Sequence, residues 1–363
     1  MYRDAMRSIV ALALASIACG NSSSAPDASA DAANDAIDAG PAARANGTVG
    51  AWQTLAPMPN ARANFCATVV GSFVVVVGGN FPDEGGFTKL DAIHVARFHD
   101  DGSLDAWQLA GHAPSPVTEC TAAGVGDSLY VLDGIYDDTS DEGQSFVATL
   151  SDQGALSAFT NVGALPSGID LFDDIAFATT TTLVAPTSEL TGTCDLLGAP
   201  IATSLAWTDV VFASEFRGRP QWATATSNGA TFVYALGGYS DADSGNTVLA
   251  TGLGARVNDD GSAGASFSVT PLPTPTTFGT AAWADDFVFV IGGRDGVFSG
   301  TPLASVLSAQ SSQDGTLSSW SAQPPLPDGR TNVCAVVAGN FLYVLGGAAA
   351  AATDTVYAAQ VRY

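Results

Sequence analysis

The chain has 363 residues, 39 of them glycine, and only 13% of its residues are charged. Twelve basic residues stand against 36 acidic ones, a net charge of −24, so the basic stripe that phosphate recognition needs and a basic patch for anionic membranes are both excluded. A single lysine, Lys89, also leaves too few wet-face residues for long amphipathic helices, whereas short strands joined by Gly, Asp, Asn, Ser and Pro turns suit the composition.

Residues 1–18 carry Arg3 and Arg7 and then a short apolar run, Ile9 to Ala18. The run is too short to span a bilayer as a helix and reads as an export signal. It ends Ser16-Ile17-Ala18-Cys19-Gly20, which resembles the lipobox of bacterial lipoproteins. That resemblance implies cleavage before Cys19, lipidation of Cys19 and membrane attachment through the lipid alone. Gly20 stands where some bacteria use aspartate as an inner-membrane retention signal, so an outer-membrane address, periplasmic or surface-exposed, is expected. Residues 19–45 then hold the lipidated cysteine and an Ala/Asp/Ser stretch, GNSSSAPDASADAANDAIDAGPAARA. It has too little apolar surface to offset its ordering entropy and is expected to be a disordered tether.

From residue 46 to 363 one phrase recurs, marked by Trp52, Trp107, Phe159, Trp207, Phe267 and Trp320 at spacings of 55, 52, 48, 60 and 53 residues. Within each period an apolar strand runs into a glycine pair: FVVVVGG, TFVYALGG, FVFVIGG and FLYVLGG, with SLYVLDG in the second repeat. Runs apolar at nearly every position predict strands buried on both faces, and the glycines predict a backbone with positive φ and close approach. The third repeat is degenerate, with Leu183-Val184-Ala185-Pro186 in that place.

A period near 50 with these strands and Trp- and Pro-rich connectors resembles the kelch family. The resemblance implies an all-β, six-bladed β-propeller. The segments DGSLDAW (101–107) and DGTLSSW (314–320) compare with NGTVGAW (46–52), and each is expected to form the outer strand that precedes its aromatic. The chain end, Asp354 to Tyr363, then has a third strand and no fourth. NGTVGAW is expected to supply it and close the ring.

No catalytic constellation stands out. His94, His99 and His112 lack metal-ligand spacing, and no P-loop or G-x-S-x-G elbow is present; no cofactor or metal is expected. Two acidic turns, Asp137 to Gly143 and Asp241 to Asn246, do not follow the order of a calcium loop. Cys66 and Cys334 occupy equivalent places and Cys120 nearly the same one. They read either as a disulfide pinning the last blade to the first or as buried small hydrophobes.

The family geometry places PMPNAR and PLPDGR at a mouth of the central channel. Arg62, Asn64, Arg330 and Asn332, with Arg219 in a related place and Glu119, are the candidate ligand-binding residues. Arg and Asn there grip carboxylates or sugar hydroxyls, or else tie blades together. The expected role is a monomeric, non-catalytic module binding a protein or a glycan. The family also implies an alternative, an enzyme acting on carbohydrate like the sialic acid mutarotases, with Glu119 and the arginines serving as the acid/base pair.

Overall fold

A computed structural model describes residues 47–83, 86–136, 141–166, 171, 175–188, 193–213, 215–240, 246–297 and 299–363. The leader, Cys19 and the tether lie outside the described residues, as do 137–140 and 241–245 of the two acidic turns. Among the described residues no helix occurs, and six antiparallel sheets form the blades of a β-propeller.

Five of the blades run outward from the axis in chain order. The first is Cys66–Val70, Phe73–Val77, Gly86–Arg97 and Gln108–Thr118; the second is Thr121–Val125, Ser128–Leu132, Gln144–Thr149 and Thr160–Ala164. The third is Phe177–Ala178, Thr182–Ser188, Cys194–Pro200 and Thr208–Ala213; the fourth is Gln221–Ser227, Ala230–Leu236, Gly252–Val257 and Phe267–Val269. Thr280–Ala284, Phe287–Ile291, Val306–Gln310 and Ser321–Ala322 make the fifth. The sixth joins Cys334–Ala338, Phe341–Leu345 and Val356–Arg362 to the chain start, Thr48–Val49 and Gln53–Leu55.

The second strand of each blade is the apolar run of its repeat. Phe73–Val77 and Phe287–Ile291 are buried at every position, because both faces of the sheet meet a neighbouring blade. Each such Val, Ile or Phe stabilises the fold by about 1.5–3 kcal/mol. The register is shared: the innermost strand begins opposite the residue before the glycine pair, as in Cys66↔Val77, Gln221↔Leu236, Thr280↔Ile291 and Cys334↔Leu345. Gly79 then turns at φ 94, and a Cβ there would sit 2.6 Å from that of Phe65. In the second blade Asp133 takes the place of the first glycine at φ 50. Its carboxylate accepts from the Gly143 and Leu171 amides, a use for the side chain that glycine lacks.

Ring closure occurs at the expected place with one correction to its detail. Thr48 and Val49 pair with Arg362 and Val361, and Gln53–Leu55 pairs with Val356–Ala358. At the closure a strand thus flanks the marker aromatic on each side, whereas in blades such as the first and fifth the outermost strand begins just after it, at Gln108 and Ser321. The preceding D-G-x-L segment is a turn closed by single bridges such as Phe98↔Leu104 and Ser311↔Leu317. Its glycine packs on the previous blade: a Cβ at Gly102 would strike Phe341, at Gly315 Phe232, and at Gly47 Phe287. Gly47 is thus the sixth blade's copy of the same latch. The aromatics latch too, since the indoles of Trp52 and Trp320 donate to the carbonyls of Pro324 and Thr270.

The third blade keeps its strands although its phrase has drifted. Thr182–Ser188 pairs along its whole length, Pro186 included, with Cys194–Pro200, but meets its innermost strand, of which two residues are formed, only at Leu183 and Val184. Trp222 fills the space beside it. It stands where the first, second, fifth and sixth blades carry alanine (Ala67, Ala122, Ala281, Ala335), and its ring meets Phe212 edge-on at 5.4 Å.

The disulfide joins Cys66 to Cys120, first blade to second, with Cα atoms 5.5 Å apart. It does not pin the last blade to the first: Cys334 is a buried thiol that donates to the Phe65 carbonyl at 3.0 Å. The reason is register. Cys66 is the first residue of its strand and Cys120 the residue before the next blade's strand, and the position facing Cys334 in that sense is Phe65.

Candidate channel-mouth site

Five blades place a residue with left-handed backbone two positions before the innermost strand: Asn64 (φ 58), Glu119 (φ 59), Arg219 (φ 52), Phe278 (φ 56) and Asn332 (φ 55). Outside glycine this conformation is uncommon and costs on the order of 1 kcal/mol or more, most for a bulky residue such as phenylalanine. It turns the chain sharply into the strand that lines the axis. The corresponding residues of the third blade fall within 172–174, outside the described residues.

These five residues are linked into a ring. The Asn332 side-chain amide donates to that of Asn64 at 3.0 Å, across the seam between the last blade and the first. The Glu119 amide donates to the Asn64 carbonyl at 2.9 Å. Glu119 and Arg219 form an ion pair at 3.6 Å with side chains 6% and 5% exposed, which joins the second blade to the fourth. The Arg219 guanidinium lies 5.7 Å from the Phe278 ring centre, and the Asn332 amide donates to the Phe278 carbonyl at 3.0 Å.

A second tier comes from the residue after each glycine pair. Asn80 accepts from Asn64 at 3.1 Å, Tyr239 stacks on Phe278 at 6.4 Å, and the Arg294 guanidinium sits 3.9 Å from the Phe278 ring centre. The mouth is therefore divided. The fourth and fifth blades present two guanidinium groups and two aromatic rings, and the sixth, first and second present amides and one carboxylate. Burial lowers Arg219 to about 10, with Glu119 pulling the other way; it remains a cation at neutral pH. Guanidinium and amide groups fixed this way suit a carboxylate or the hydroxyls of a sugar.

Of the six residues singled out from the sequence, Asn64, Glu119, Arg219 and Asn332 meet in the ring. Arg62 and Arg330 lie behind it, buried against backbone. Arg62 donates to the Gly78 carbonyl at 2.9 Å and to His94 Nδ1 at 3.2 Å. Arg330 donates to the Gly346 carbonyl at 3.1 Å and clasps Asp328. The true counterpart of this pair in the fourth blade is Arg217, which holds the Gly237 carbonyl at 2.8 Å; Arg219 is the counterpart of the asparagines. Sequence reasoning missed Phe278, Arg294, Asn80 and Tyr239. The signal that finds them is position, two residues before the strand and one after the glycine pair.

The opposite mouth is chemically plainer. A cavity of about 670 Å³ opens there among Gly71, Gly126, Gly229, Thr179 and Thr180, with Asp259 at its edge.

No family model matches the chain, and no curated protein is similar to it in sequence. Among solved structures, the one described as "Structure of YjhT" is similar with a TM-score of 0.60, covering 85% of this chain and 99% of its own at 13% identity. What the two chains share at that identity is the fold, and the fold of this chain is a six-bladed β-propeller.

Proposed function

We propose that this chain is a kelch-type envelope lipoprotein, held in the outer membrane by lipid on Cys19, whose propeller binds a glycan without catalysing a reaction. The observation that carries the binding reading is the ring: five strained residues, hydrogen-bonded and ion-paired to one another, hold amide and guanidinium groups around one channel mouth. Such preorganisation lowers the entropic cost of gripping a small polar group. The latch turn at Gly47 lies at the end of the blades remote from the ring, since innermost and third strands both run away from it. A tether entering there leaves the ring facing outward.

The test is a binding screen of neutral sugars, sugar acids and small carboxylic acids on the intact protein, repeated with Arg294→Gln and Asn332→Ala. Saturable binding that both substitutions weaken supports the site. Binding that neither substitution alters places the ligand elsewhere. Anchoring is tested separately: Cys19→Ala releases the protein from membrane fractions into the soluble pool, and retention in the membrane overturns the lipid anchor.

A second reading has one observation in its favour. Glu119 and Arg219, buried and 3.6 Å apart in the ring, form the acid/base and charge-stabilising pair that a mutarotase-like enzyme needs. Anomerisation of a bound sugar that is accelerated by the protein and abolished in Glu119→Gln would favour it over simple binding.

A further inference from the structure

The first blade carries an arm that the ring alone does not account for. Asn80–Asp83 pairs with the start of Gly86–Arg97 in the register Asn80↔Lys89, Phe81↔Thr88, Pro82↔Phe87, Asp83↔Gly86. At the same place the fourth blade has a two-rung hairpin, Tyr239–Ser240 with Thr247–Val248, and the fifth and sixth have single bridges at Arg294 and Ala348. Among the described residues the first blade therefore carries the longest paired hairpin at this place.

The arm grows directly out of the ring, because Asn80, its first residue, is hydrogen-bonded to Asn64. It is also braced. The Leu90 amide donates to the Gly79 carbonyl at 2.9 Å, Leu90 pairs with Val117, and Lys89 donates to the Tyr136 carbonyl of the second blade at 3.0 Å. The chain's one lysine is spent on holding this arm. Phe87 and Lys89 are two residues apart on a strand and so share a face, the face toward the second blade, which supplies Glu119 to the ring. Phe87 is 72% exposed, the most exposed large hydrophobic side chain among those described. It sits two rungs beyond Asn80, about 7 Å farther out.

We infer that Phe87 is an outer stacking platform for the ligand of the ring, so that the glycan recognised is an oligosaccharide and not a lone sugar. This rests on reading the ring as a glycan site. The ring grips one polar end. The offset to Phe87 exceeds the width of one sugar ring, so the aromatic face meets a unit farther along, through the apolar C–H face of the pyranose. An exposed ring on a hydrogen-bonded strand, with few rotatable bonds of its own, loses little entropy on stacking. A ligand that ended at the ring would leave Phe87 with nothing to contact.

The test uses gluconate, maltobionate and maltotrionate, which share one carboxylate-bearing end and differ by added glucose units, titrated calorimetrically into the intact protein. Affinity rises three- to tenfold from first to last, the range expected of one added aromatic contact. Phe87→Ala flattens the series and Phe87→Trp restores its slope; melting curves confirm that both variants are folded, as an exposed position allows. A flat series in the wild type, or a slope that survives Phe87→Ala, overturns the role of Phe87 while leaving the ring reading intact. Failure of all three compounds to bind overturns the ring as a sugar-acid site, and the inference with it.

Discussion

The thiol of Cys334 donates to the carbonyl of Phe65 at 3.0 Å, across the seam where the last blade meets the first. One blade on, the same pair of positions is occupied by Cys66 and Cys120, which are disulfide-bonded. The seam thus has the geometry for a crosslink and lacks one sulfur.

Phe65→Cys should supply it. In a chain starting at residue 44, the wild type has two thiols, Cys194 and Cys334, and one disulfide. The variant should titrate one thiol in denaturant after air oxidation. Phe65 is fully buried, so removing its ring costs about 3–5 kcal/mol. The new bridge closes a very long loop and offsets that by about 2–4 kcal/mol. The oxidised variant should accordingly be more stable than Phe65→Ala in denaturant melts. Three titratable thiols would show that the seam positions are not equivalent to the Cys66–Cys120 pair.

The chain start should matter to stability through Gly47 to Trp52. A truncation beginning at residue 53 loses the Thr48–Val49 ladder, the Gly47 latch on Phe287 and the Trp52 indole bond to Pro324. It should melt below a truncation beginning at residue 44 and associate through the uncovered edge of Val356–Arg362. Trp52 is half-buried, so Trp52→Ala alone should cost about 2 kcal/mol, less than a fully buried tryptophan. Equal melting and equal solubility of the two truncations would contradict closure by the chain start.

Acid should loosen the first blade through His94. Burial, then the Arg62 guanidinium and then His112, press its imidazole from the usual 6.5 down to about 4, and its Nδ1 accepts from Arg62. The unfolded chain therefore binds a proton between about pH 6.5 and pH 4 that the folded chain refuses. Stability from this group is complete above pH 6.5 and declines as pH falls toward 4. After allowance for solvent screening the loss is about 1–2 kcal/mol. His94→Gln should shallow the decline in melting temperature across that window, and an unchanged profile would exonerate His94.

Salt should stabilise the propeller mildly near neutral pH. Residues 46–363 hold nine basic and 31 acidic side chains, a formal charge of −22. Their mutual repulsion is screened as ionic strength rises. A melting temperature that falls steadily with moderate sodium chloride would show that ion pairs such as Glu119–Arg219 outweigh this repulsion.

The blade count was legible because the second strands are buried on both faces, and FVVVVGG or FLYVLGG announces that without help from context. The site was legible only in part, since its geometry depends on where each innermost strand begins. In Arg217-Gly218-Arg219-Pro220-Gln221-Trp222 two arginines compete for one place. The polar Gln221, which opens that strand, hides the count that makes Arg217 the counterpart of Arg62. Phe278 carries no polar group and reads as core, although its positive φ puts it in the ring. The outer strands were misplaced by a few residues for a related reason. In NGTVGAW only Thr48 and Val49 form strand, because the glycine before them is there to turn against Phe287.

Thr48 pairs with Arg362, 314 residues later in the chain. During synthesis, then, the first strand made waits for the last. Loop-closure entropy grows only slowly with length, so the finished ring is not much weakened by joining distant ends. The delay is kinetic: contacts of such long range make folding slow, and apolar surface stays uncovered in the meantime. Until Val356–Arg362 emerges, Thr48 and Val49 have no strand to pair with and the sixth blade does not exist.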